Sequence, residues 1–194
     1  MKKNKISTMA EVAAFASIAF VLDVLAGFYS GFFPSGGSIS LAIIPIVILS
    51  FRRGPIAGVL CGLLVGLLDL TDGFYTISTK WYHSILQVGF DYILGYMLVG
   101  LVGLAKPLFK KYKIFSISLI FTLIAGVNKF ILHFLSGVLY WPQYEGQPYG
   151  DRIIYSLIYN GSYMIPTIIL CGIITSLLSI KFKDLFIVKE WFKG

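Results

Sequence analysis

Residues 39–70 read ISLAIIPIVILSFRRGPIAGVLCGLLVGLLDL, two apolar runs joined by Arg52-Arg53-Gly54-Pro55. Pro55 suits the first position of a new helix, so the junction reads as a tight basic turn between two helices. The run before it, residues 39–51, is short for a membrane span and contains Pro45, which leaves it tilted, kinked or partly re-entrant. The run after it carries Gly54, Gly58, Gly62 and Gly66 at a strict four-residue spacing. Small residues on one helical face let backbones approach closely in lipid. The face is therefore a packing seam, read as packing within one chain in preference to dimerisation.

The same apolar character extends in both directions. Further runs cover residues 7–28, 84–105, 114–140 and 153–180, and together they use nearly the whole chain. The 194 residues are 57% hydrophobic and 13% charged, with a mean hydropathy of +0.84. A soluble domain of that length could not hide so much apolar surface, so the surrounding solvent is lipid. A span needs about 20 apolar residues, which makes the chain an all-α integral membrane protein of six transmembrane helices. A single domain over residues 1–194 is expected. The basic, then apolar, beginning has the look of a signal peptide, but Glu11 and Asp23 interrupt it, and it is read as a retained first helix.

A net charge of +7 could suggest nucleic acid, but its distribution excludes that reading. Thirteen Lys and Arg side chains sit in four clusters, at residues 2–5, 52–53, 106–113 and 181–193, on alternate links and tails. The other links hold only Lys80 and Arg152, and Lys129 alone lies within a run. This is the positive-inside pattern, and it puts both termini on the cytoplasmic side. The tail after the sixth run is expected along the membrane surface. Cys61 and Cys171 lie in apolar runs with no Cys/His cluster and read as reduced packing residues.

Charges inside lipid cost about 2.5–3.5 kcal/mol each on insertion scales, so they are the first places to look for function. Glu11 and Asp23 lie toward opposite ends of the first run, within reach of the interfaces. Asp69 and Asp72 read as interfacial or capping residues. Asp91 lies about two turns into the fourth run. Lys129 and His133 share a face of the fifth, four residues apart. Singly, Lys129 reads as a partner for the acids and His133 as a hydrogen-bonded core imidazole. Together with Tyr140 and Trp141 nearby, Asp91 and His133 describe a polar pocket with aromatic walls, suited to a ligand that carries both a cation and an aromatic ring. Trp81 and Tyr82 read as interfacial aromatics. Tyr155 and Asn160 are offset by about 140° around the sixth helix and could line adjacent walls. Nothing in the sequence supports catalysis: it contains no Walker motif, no GxSxG elbow and no metal-spaced His/Cys set. No cofactor or metal is expected.

The pattern running from Gly36-Gly37-Ser38-Ile39-Ser40-Leu41 through Ile44-Pro45 to Ser50-Phe51-Arg52-Arg53-Gly54 resembles the thiamine-specific S component of energy-coupling-factor (ECF) transporters. The resemblance continues over Leu86 to Asp91-Tyr92. It is strongest over Lys129, His133-Phe134, Gly137, Tyr140-Trp141 and Gln143-Tyr144, then Tyr155-Ser156-Leu157 and Asn160-Gly161. It implies a non-enzymatic, multi-pass protein of the cell membrane that binds thiamine from outside and docks on a membrane coupling subunit served by two ATPases. In that family an acid, a histidine, a tryptophan and a Tyr/Asn pair contact the vitamin. The matching residues here are Asp91, His133, Trp141, Tyr155 and Asn160, with Tyr92 as a neighbour. Some members carry Glu at Asp91, one methylene longer, and an aromatic near Gly36 that this chain lacks. The family's small-residue coupling face on helix one corresponds to Ala13 and Ser17, a Ser in place of the usual second Ala, with Ala10 and Ala14 beside them. The competing class is a self-sufficient secondary carrier or channel for another organic cation, with Lys129 and the acids as an ion path.

Overall fold

The computed structural model describes residues 2–28, 30–33, 37–74, 80–140 and 148–188, and among these the regular structure is helical throughout. The helices are α1 (Lys2–Gly27), α2 (Ile43–Arg53), α3 (Pro55–Asp72), α4 (Trp81–Lys110), α5 (Ile114–Tyr140), α6 (Tyr149–Lys181) and the short α7 (Lys183–Phe186). Five of them, α1 and α3 to α6, are long and apolar enough to cross a membrane. Their outward faces are aliphatic. On α5, Ile120, Ile124, Val127 and Ile131 recur three or four residues apart and are all exposed. A helix that shows such a stripe outward and packs small or polar residues inward is built for lipid.

The short second run becomes α2, whose residues Ile43 to Phe51 are all buried. At 11 residues it rises only about 16 Å. It lies in the middle of the bundle, where an apolar side chain on every face finds a neighbour. The turn beyond it works as its sequence suggests. Gly54 has φ +97°, a conformation that side chains rarely adopt, and Pro55 starts α3. Gly54 therefore serves the turn and takes no part in the glycine seam. Gly58, Gly62 and Gly66 form the seam, within the chain. A Cβ on Gly62 would run into the Tyr96 carbonyl, one on Gly66 into that of Tyr92, and one on Gly58 into Ser50 and Gly100. Ser50 fastens the same contact, donating its hydroxyl to the Gly100 carbonyl and accepting the Gly103 N–H at 2.8 Å.

α4 is not uniform. It is α-helical to Val88, opens into a π turn over Gly89–Leu94, and tightens into a 3₁₀ helix over Gly100–Lys110. The tight part carries Gly100 and Gly103 past the start of α3. The wide part carries Asp91 and Tyr92. Single π turns inside α-helices recur at functional sites because they reorient side chains that a regular helix would aim elsewhere.

The tail was expected along the membrane surface; its described part, residues 182–188, is mostly exposed and is anchored to the bundle through Phe186 and Ile187, while residues 189–194 lie outside the described residues. Phe186 is fully buried, 6.3 Å from the Phe51 ring, and the Asp184 carbonyl accepts a 2.6 Å bond from Arg52. Glu11 of α1 meets Arg52 at 2.8 Å and Arg53 at 2.6 Å. Together these contacts tie α1, the α2–α3 turn and the tail at one end of the bundle.

Candidate functional site

At the other end, α1, α3, α4, α5, α6 and the segment before α2 enclose a cavity of about 150 Å³. Asp91, Tyr92, His133, Tyr155 and Asn160, five of the six residues singled out in the sequence, line it. The sixth, Trp141, lies outside the described residues, directly after α5.

The geometry follows from the helices that present these groups. The π turn brings the Asp91 carboxylate to 3.5 Å from Nδ1 of His133 on α5. Ser136, almost one turn beyond His133, donates to the other carboxylate oxygen at 2.8 Å. Gln87, one α-helical turn before Asp91, is buried and also hydrogen-bonds the carboxylate. His133 Nε2 is buried in the cavity wall with no hydrogen-bond partner among the described residues. A buried polar atom normally has a partner, so this one is available to a ligand.

α6 supplies the opposite wall. Asn160 donates to the Ser156 carbonyl at 2.9 Å and accepts from the Tyr163 hydroxyl at 2.5 Å, so its amide is held in one orientation. Gly137 makes room for this arrangement, since a Cβ there would strike the Ser156 hydroxyl. The rings of Tyr155 and Tyr159 stack at 5.9 Å and 12°, and Tyr163 stands edge-on to both Tyr159 and His133. The Tyr159 hydroxyl accepts the Gly37 N–H at 2.9 Å, which closes the segment before α2 over the cavity. Carboxylate, imidazole and amide thus converge with several aromatic rings. That set has the chemistry to bind and orient a ligand with a cationic and an aromatic part.

Two acids depart from expectation. Asp23 and Asp69, read as interfacial residues, line the cavity, and Asp69 is buried. Both act electrostatically on Lys129, whose ammonium lies 3.2 Å from the centroid of the Tyr96 ring. Tyr159, Tyr163 and Thr167 were not foreseen. The signal was present: with Tyr155 they recur every fourth residue, a stripe along one face of α6. Glu11 does not reach an interface alone but is paired with both arginines.

The small residues of α1 lie away from the cavity. Val12, Ala16 and Ala19 are buried, whereas Ala10, Ala13, Ala14 and Ser17 are exposed on the other side of the helix. The Ser17 hydroxyl donates to the Ala13 carbonyl at 3.0 Å, satisfying itself within the helix.

A family model described as thiamine transporter protein (Thia_YuaJ) matches residues 9–187. The thiamine transporter ThiT of Bacillus subtilis (strain 168) is 30% identical over 187 residues, covering 91% of this chain and 92% of that one. The thiamine transporter ThiT of Lacticaseibacillus paracasei is 29% identical over 160 residues, 78% of each. A solved structure of ThiT from Listeria monocytogenes superposes with a TM-score of 0.75 at 27% identity, covering 95% of this chain and 99% of that one. A match of this extent, to a chain with several membrane-spanning helices, shows that the protein belongs to the thiamine transporter family and is a multi-pass protein of the cell membrane, a transporter and not an enzyme.

Proposed function

We propose that this chain is the thiamine-capturing S component of an energy-coupling-factor importer. It takes the vitamin from outside into the cavity and docks on a transmembrane coupling subunit that works with two ATPase subunits. The observation that carries this reading is the convergence of Asp91, Tyr92, His133, Tyr155 and Asn160 on one cavity in a member of the thiamine transporter family. Thiamine joins a permanently cationic thiazolium to an aminopyrimidine. Asp91 supplies the counter-charge. His133 Nε2 and the Asn160 amide meet the polar edge of the pyrimidine, and Tyr92 and Tyr155 lie against the rings. No metal or cofactor takes part.

The whole of residues 1–194 forms one substrate-binding domain with both termini inside. The charge distribution supports that orientation. α2 and the non-helical residues 37–42 together make the sixth crossing. α2 alone is about half the thickness of the hydrocarbon core, and an irregular segment at membrane depth is tolerated where protein covers it. Ala10, Ala13, Ala14 and Ser17 form the surface that meets the coupling subunit.

Titrating the purified chain with thiamine and following tryptophan fluorescence tests the reading. Saturable quenching is expected, and Asp91→Asn should weaken it by about one to two decades, since losing a charged hydrogen-bond partner costs about 1.5–3 kcal/mol. Unchanged affinity in that variant would remove Asp91 from the site. In vesicles the chain alone should bind thiamine without moving it. Transport without partners or ATP would establish a self-sufficient carrier instead.

A further inference from the structure

Lys129 lines the same cavity as Asp91. An ammonium beside a site for a cation would by itself repel the ligand and cancel the carboxylate meant for it. The structure surrounds it with its own partners. Asp23 from α1 and Asp69 from α3 hydrogen-bond each other and the Tyr96 hydroxyl. Both favour the charged form of Lys129, and all three groups line the same cavity. The Tyr96 ring lies under the ammonium at 3.2 Å, which adds a cation–π contact. A hydrogen bond between two carboxyl groups needs a proton on one of them, so the pair holds one negative charge against one ammonium. The cluster is neutral in itself. Asp91 is held by Ser136 at 2.8 Å and by Gln87, two neutral groups that bring no positive charge to its carboxylate.

We infer that Asp23 and Asp69 are specificity-determining residues: by neutralising Lys129 they let Asp91 select a cationic ligand over a neutral one of the same shape. They act through Lys129 and are positioning residues. The inference rests on the reading of the cavity as the thiamine site.

The test compares thiamine with its deaza analogue, in which a neutral thiophene replaces the thiazolium ring. Each is titrated by calorimetry against the full chain in detergent, and the readout is the ratio of the two affinities. The double variant Asp23→Asn with Asp69→Asn leaves Lys129 facing Asp91. Its preference for thiamine should fall by about tenfold or more, the scale of a like-charge juxtaposition, while the deaza analogue binds as before. Either single variant leaves one carboxylate for one ammonium and should keep the wild-type ratio. A double variant that loses both ligands equally, or that keeps the ratio, overturns the inference and returns the two acids to a purely structural role. Lys129→Met removes a buried charge and does not depend on recovering the double variant. It should keep or raise the preference for thiamine; a fall would mean that the ammonium itself reads the ligand, and would equally overturn the inference. A wild-type chain that binds neither compound would instead sink the thiamine reading, which separates the two failures.

Discussion

The two ends of the bundle use charge in opposite ways. At the arginine end one carboxylate, Glu11, meets two guanidiniums at 2.6–2.8 Å, and the neighbouring Lys106 ammonium donates to the Arg52 carbonyl at 2.7 Å. Those groups are satisfied, and the C-terminal segment is packed over them. At the cavity end three acidic side chains lie around one ammonium, and among the described residues His133 Nε2 has no partner. A saturated network holds helices together, whereas an unsaturated one leaves interactions to be completed by something that enters. α1 runs from one to the other, carrying Glu11 at one end and Asp23 at the other. On this contrast, damage at the arginine end should cost stability and damage at the cavity end should cost affinity.

The largest effect on stability is expected from Phe186→Ala. The ring is fully buried in the aromatic cluster formed with Phe51 and Phe109. Truncating a buried Phe costs about 3–5 kcal/mol, because the cavity left behind collapses only partly. Thermal unfolding in detergent should shift well down, with thiamine affinity per folded molecule unchanged. If affinity fell in proportion, the two ends would be one cooperative unit and the contrast between them would fail.

The burial of Phe186 was not legible in the sequence, and the reason is physical. Lys181, Lys183 and Lys189 give the segment the composition of a surface-bound tail, and a single Phe186 among them carries no periodicity to mark it as core. Much else was legible. Runs of apolar residues bounded by basic clusters give the spans, because lipid tolerates few other solutions. Asp91, His133, Tyr155 and Asn160 stood out because polar groups in lipid are costly enough to need a reason. Asp23 and Asp69 were misplaced because composition fixes where a run ends only to within a turn or two, which is the difference between an interface and a cavity wall. The π turn at Asp91 has no sequence signature at all. It arises where α4 must serve both the glycine seam with α3 and the cavity.

A smaller effect is expected from Glu11→Gln. Its side chain is about one quarter exposed, at 23%. The loss should lie between that of an exposed pair and that of a buried one, about 1–3 kcal/mol, because two guanidiniums lose their counter-charge while keeping neighbouring carbonyl and hydroxyl acceptors. Denaturation at low and high salt provides the check. The wild-type advantage should persist in salt, since a partly buried pair is poorly screened. Thiamine affinity should stay within about twofold, a few tenths of a kcal/mol. A tenfold loss of affinity would show that the clasp sets the cavity's shape and is more than a fastening.

The smallest effect on the isolated protein is expected from Ala13→Trp, and it divides capture from transport. Ala10, Ala13, Ala14 and Ser17 are exposed along one side of α1, while Val12, Ala16 and Ala19 hold its other side to the bundle. A bulky ring at position 13 therefore meets lipid and not protein, and neither the clasp at Glu11 nor the cavity at Asp23 is touched. Thermal stability and thiamine binding in detergent should match the wild type. Small residues in a row permit another helix to approach to backbone distance, and one large side chain among them prevents it. ATP-dependent uptake by vesicles that hold the assembled complex should consequently be lost. If binding and uptake fell together, the stripe would belong to the chain's own packing. If neither fell, the partner would dock elsewhere, and α1 would serve only to join the two ends.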